Sequence, residues 1–133
     1  MDVTEIINEV NRLPLGKRLV LAYKVFGEID RIERTELVSE RYRKVLAKTE
    51  EVTGMKNNPG KRDADSVFVR TISVWRMLDE GYTHTDIGKA IGKDHATVTY
   101  IAKLRKTALE IPMAYREHLA MYGKLNLALN NDD

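Results

Sequence analysis

An all-α fold is what this sequence predicts, and three observations carry the prediction. Apolar residues recur at helical spacing along nearly the whole chain. A hydrophobic content of 43% with only 3 prolines in 133 residues suits a globular helical protein rather than a disordered one. Between Thr85 and Lys106 two short helical patterns meet at a glycine-bearing turn, the pattern of a helix-turn-helix. The expected division is an N-terminal helical extension over 1–34, a helix-turn-helix domain over 35–129 and a frayed tail over 130–133.

Along Val3–Leu13 the apolar residues Val3, Ile6, Ile7 and Val10 fall at helical spacing, with Thr4 as a capping residue, and Pro14 ends that helix or opens the next. From Leu15, the positions Leu15, Leu19, Ala22, Phe26 and Ile29 repeat at steps of four and three, a seam like that of a coiled coil. Gly27 weakens this helix by about 1 kcal/mol relative to alanine. The seam predicts a helical hairpin that either makes a homodimer or higher oligomer or packs on its own domain.

A further helix is predicted from a cap at Thr35, with Val38, Tyr42, Val45, Thr49 and Val52 on its inner face and Arg41, Arg43, Lys44 and Lys48 outside. Those cations form a solvated face or reach backbone phosphate. Gly54–Arg62 is a loop whose glycines resemble a nucleotide-binding P-loop only superficially. They stand one residue too far apart, Arg62 occupies the hydroxyl position and no strand precedes them, so no nucleotide or other cofactor is expected. Ser66–Glu80 is the central helix, capped by Asp65 or Ser66, with Ile72, Trp75 and Leu78 in the core and Phe68 near its start.

Gly81 and Tyr82 end that helix, and Thr83 or Thr85 caps the next. Ile87, Ala90 and Ile91 then face inward, Gly88 permits close approach of the following helix, and Gly92 stops the helix in the left-handed conformation. Asp94 caps the second helix, whose inner face carries Val98, Ile101, Ala102, Ala108 and Leu109. At 100° per residue Ala96, Thr99 and Lys103 fall on the opposite face, with His95 and Tyr100 beside them. After Ile111-Pro112 the chain resumes as a helix over Met113–Leu129, with Ala114, His118, Met121 and Leu125 on one face.

The run Ile87–Val98, I-G-K-A-I-G-K-D-H-A-T-V, resembles the signature of the C-terminal DNA-binding domain of the bacterial chromosomal replication initiator DnaA. The resemblance implies a partner, double-stranded DNA. It puts Lys93, Asp94, His95 and Ala96 at base-reading positions and Thr97 at a phosphate. It also puts Lys61 and Arg62 in a loop that tracks the minor groove, although a solvated linker explains those two residues equally well. The turn is one residue shorter than the commoner form and Ala96 replaces the usual hydroxyl, so the family's target sequence does not carry over. With the face geometry added, the base-contacting set is Lys93, Asp94, His95, Ala96 and Thr99. The backbone and minor-groove set is Lys61, Arg62, Thr97, Tyr100, Lys103 and Lys106.

Composition restricts the remaining function classes. A net charge of +2 is small for a phosphate binder, but Lys93, Lys103, Arg105 and Lys106 against Asp94 concentrate charge on the motif. His84, His95 and His118 stand on separate elements, no cysteine is present and no nucleophile-elbow glycines flank a serine, so no catalytic or metal site is expected. No apolar run approaches the about 20 residues of a membrane span, and the acidic start with Asp2 and Glu5 is unlike a signal peptide, which predicts a cytoplasmic protein and no membrane partner. The function expected is sequence-specific DNA binding without ATPase activity, in replication, transcription or a mobile element. A protein-interaction scaffold built on a degenerate motif is the alternative, and RNA binding has little in its favour because stacking aromatics are scarce.

Overall fold

The computed structural model describes residues 2–132, which form six α-helices and no strand. None of the helices is long and apolar enough to cross a membrane. Two compact units divide the chain, one ending at Glu36 and one beginning at Leu37.

In the first unit, α1 (Val3–Asn11) is capped by Asp2, whose carboxylate accepts the Glu5 N–H at 2.8 Å. The expected Thr4 cap is thus replaced: Thr4 already lies inside the first turn, where its hydroxyl is not placed to take an orphan N–H. The carbonyls at and just beyond the end of α1 are met by a side chain from α2 (Leu15–Thr53). Arg18 donates from Nε to the Leu13 carbonyl at 2.6 Å and from Nη2 to that of Asn11 at 2.5 Å. No described residue before Leu37 is buried.

The break expected at Thr35 does not occur, because α2 runs through it for 39 residues. A serine or threonine hydroxyl can bond back one turn instead of capping, and the Thr35 hydroxyl does so, donating to the Arg31 carbonyl at 2.9 Å.

From Leu37 onward the chain has a real core. Val38, Tyr42 and Val45 of α2 meet Ile72, Trp75 and Met77 of α3 (Ala64–Asp79), with Ile87 of α4 (His84–Ile91) and Val98 of α5 (His95–Glu110). Leu125 and Leu129 of α6 (Arg116–Asp132) close it. Trp75 is fully buried, and its indole N–H, which would otherwise be a costly orphan, donates to the Ile101 carbonyl at 3.0 Å. A buried polar contact joins α2 to α3: the Ser73 hydroxyl donates to that of Thr49 at 2.9 Å, and Thr49 donates in turn to the Val45 carbonyl at 2.8 Å.

Several sequence expectations shift. The cap of α3 is Asp63, which accepts the Ser66 N–H at 3.1 Å and the Ser66 hydroxyl at 2.8 Å, so neither Asp65 nor Ser66 is the capping residue. These bonds hold the Asp63 carboxyl below its ordinary range. Arg41 is no phosphate-reaching cation. It grips Glu80 through two bonds of 2.7 and 2.8 Å, while Arg76 donates to the same carboxylate at 2.6 Å and to Asn126 at 2.9 Å. Leu109, expected inside, is 61% exposed: the last turn of α5 still meets the core through Ala108, and Leu109 lies 100° around the helix from it. Pro112–Tyr115 forms one turn of 3-10 helix, so the last α-helix begins at Arg116 rather than Met113 and Ala114 is exposed. That helix persists to Asp132, across residues expected to fray; Asp133 lies outside the described residues.

Candidate nucleic-acid interface

The turn between α4 and α5 is built from short-range chemistry. Thr83 caps α4 by accepting the Asp86 N–H at 3.1 Å. At the other end Gly92 has φ of 70°, and the Lys93 and Gly92 N–H groups return to the carbonyls of Gly88 at 2.8 Å and Lys89 at 3.3 Å. This is the Schellman arrangement, which satisfies the last carbonyls of a helix while reversing the chain. Gly88 is where the close approach occurs, against the turn itself: a Cβ there would sit 2.8 Å from the Lys93 carbonyl oxygen.

Asp94 then opens α5. Its Oδ1 accepts the Thr97 N–H at 3.0 Å and the Thr97 hydroxyl at 3.1 Å. These two bonds, the backbone one first, hold its carboxyl below the ordinary value, so it is ionised at neutral pH and complements the positive end of the helix. Thr97, expected at a phosphate, is half-buried and spends its hydroxyl on this cap.

Thr99, expected to face bases, is half-buried as well. Its hydroxyl lies 2.9 Å from the His95 carbonyl and 2.9 Å from Nδ1 of His84, so it couples α4 to α5. Lys93, Asp94, His95 and Ala96 are exposed at the turn and the start of α5, and Tyr100, Lys103 and Lys106 are exposed farther along it. Tyr100 is 67% exposed, a large aromatic left outside while Val98 and Ile101 on the reverse side are buried. Arg105 departs from the expected cationic set, since it pairs with Asp79 and lies over the Tyr122 ring, 5.7 Å from its centre.

Lys61 and Arg62 are exposed on a loop held by its own backbone. The Asn57 N–H donates to Glu50 at 2.9 Å, the Asn58 N–H to the Ser66 hydroxyl at 2.8 Å, and Arg70 to the Lys61 carbonyl. The tip of this loop and the α4–α5 turn form two sides of one groove of about 440 Å³. Pro59 and Gly60 line it from the loop and Gly92 and Lys93 from the turn, with Arg43 of α2 and Arg70 of α3 between them. Three cations and no carboxylate line the groove. Asn57 lines it too, and its buried side-chain oxygen has no partner.

Arg70 was not visible as a candidate in the sequence, because only the folding of the loop brings it beside the turn. Arg43 stood in the charged run of α2 with nothing to separate it from Arg41. The three histidines go to three surroundings: His84 on Thr99, His95 in solvent, and His118 among Phe68, Tyr115 and Trp75 with ring centres 4.5, 5.5 and 6.0 Å away. Burial lowers the His118 pKa. Among the described residues no three histidine, aspartate or glutamate side chains gather as metal ligands. Comparison of the chain with protein-family models, with curated protein sequences and with solved structures gave no match.

Proposed function

We propose that the chain is a sequence-specific double-stranded DNA-binding protein of the cytoplasm. In this reading α4 and α5 act as a helix-turn-helix of the DnaA C-terminal type, and no catalytic role is assigned. The observation that carries the reading is the exposed side of α5: His95, Ala96, Tyr100, Lys103 and Lys106 stand in solvent on a helix whose other side is locked into the core. The first turn of such a helix meets base edges in a major groove, and later cations meet phosphates. His95 and Ala96 suit contacts to bases, including a thymine methyl, with Lys93 beside them. Asp94 has Oδ1 committed to its cap and offers Oδ2 to a cytosine amino group.

Thr97 and Thr99 serve this function by fixing the helix rather than by touching DNA. Lys103, Lys106 and Tyr100 grip the backbone. Lys61, Arg62 and the cationic groove at Arg43 and Arg70 face the neighbouring phosphates and minor groove. The likeness of Ile87–Val98 to the initiator signature supports the same roles. In this reading the chain acts as a regulator or as a replication or mobile-element accessory.

Selection of bound duplexes from a random pool should yield one enriched sequence. His95→Ala should then relax preference at one or two positions. Lys103→Ala should weaken all duplexes alike and lower the salt slope by about 1. Equal losses on every duplex from both variants would refute the division of roles. The near-neutral total charge favours a second reading, a protein-interaction scaffold, for which duplex affinity would be absent or indifferent to salt.

A further inference from the structure

The N-terminal unit displays the apolar surface of a core without having one. None of its described residues is buried, and eleven large apolar side chains between Val3 and Ile32 are exposed by 44% or more. On α2 the seam residues Leu15, Leu19 and Phe26 are 70, 65 and 66% exposed. A segment this short that buries nothing cannot offset its own chain entropy, and contiguous apolar surface on this scale marks a protein contact.

Charge identifies the occupant. Residues 15–27 carry Lys17, Arg18 and Lys24 and no acid, a net +3, whereas residues 28–36 carry Glu28, Asp30, Glu33 and Glu36 against Arg31 and Arg34, a net −2. The basic half also holds an open groove of about 470 Å³ lined by Pro14, Gly16, Val20 and Leu21 together with Lys17 and Lys24. An apolar strip flanked by carboxylates is what this groove would accept, and the acidic half supplies one in Ile29 and Ile32 beside Glu28 and Glu33. A copy laid antiparallel sets basic half on acidic half at both ends. A parallel copy sets like on like.

We propose that residues 15–36 form an antiparallel homodimer interface with a second copy of this chain. The interface does not depend on the DNA reading, and His95→Ala should leave it intact.

Light scattering and sedimentation of the full chain should show a dimer. Phe26→Asp, a change at a side chain that the protomer leaves in solvent, should give monomers whose loss of helical signal is confined to the N-terminal segment, with the transition of the core beyond Leu37 unchanged. Lys17→Glu with Lys24→Glu should weaken the dimer by about tenfold or more, and adding Glu28→Lys and Glu33→Lys should restore it. Because the chain has no native cysteine, a spin label at Thr35→Cys reports orientation. The two labels should lie about 30 Å or more apart in an antiparallel pair, against about 10 Å in a parallel one, given 1.5 Å of rise per residue. A monomer at every concentration, a short label distance, charge reversals that add instead of compensating, or association only with a different protein would each overturn the proposal.

Discussion

Glu80 shows how much one side chain decides. Arg41 and Arg76 both bond its carboxylate, and all three groups are less than one fifth exposed. Burial alone would raise the Glu80 pKa, but the hydrogen bonds from the two arginines outweigh it and hold the value down. Glu80→Gln keeps the shape and removes the charge both arginines need. It should cost roughly 2 kcal/mol in chemical denaturation, between the about 0–1 of an exposed pair and the about 3–5 of a fully buried one, because water still reaches this one. A loss no larger than that of a surface substitution would show the arginines to be solvated. At the same scale, Thr99→Ala removes the hydroxyl beside His84 and His95 and should loosen α5 against α4. If Thr99 instead reads bases, the variant will change sequence preference without any change in melting temperature.

At the scale of an element, the α4–α5 turn is specified by residues within ten positions of one another. Gly92 supplies the left-handed angle, Asp94 the cap and Gly88 the space. Gly88→Ala places a methyl 2.8 Å from the Lys93 carbonyl oxygen, a backbone atom with no flexible side chain to give way. The two helices must separate, at a cost of about 1–3 kcal/mol. Duplex binding should fall by more than stability alone explains, because the exposed face of α5 moves with the turn; binding at wild-type affinity in the folded fraction would contradict this. Element boundaries were the least legible part of the sequence. Thr35 and Ser66 have the chemistry of caps, yet the Thr35 hydroxyl bonds back to Arg31 inside a continuous helix, and Ser66 donates to the true cap, Asp63. The residue type that can cap can also bond locally in other ways, and neighbours choose between them.

At the scale of the whole molecule, the perturbed carboxyl groups and His118 share one sign. The pKa of His118 lies below its unfolded value because burial among Phe68, Tyr115 and Trp75 disfavours the charge. Its contribution to stability is complete above about pH 6.5 and is lost as pH falls through the lowered value. Asp63, Glu80 and Asp94 are likewise depressed, so their contributions are complete above about pH 4 and vanish in stronger acid. Stability should therefore fall in two stages as pH is lowered from neutrality. His118→Phe, which keeps a ring in the aromatic cluster, should flatten the first stage and leave the second; an unaltered first stage would assign it to another group. The sequence by itself determined the all-α class, most of the apolar faces of the central helices, and the left-handed Gly92 and the Asp94 cap of the α4–α5 turn, because periodicity, glycine conformation and capping act over a few residues. Only the tertiary structure decided that Arg41 and Arg105 are taken by Glu80 and Asp79, that Thr99 braces His84, and that Arg43 and Arg70 stand in one groove with Lys93. A charge becomes a partner or a binding group according to what distant segments bring beside it, and sequence spacing carries no record of that distance.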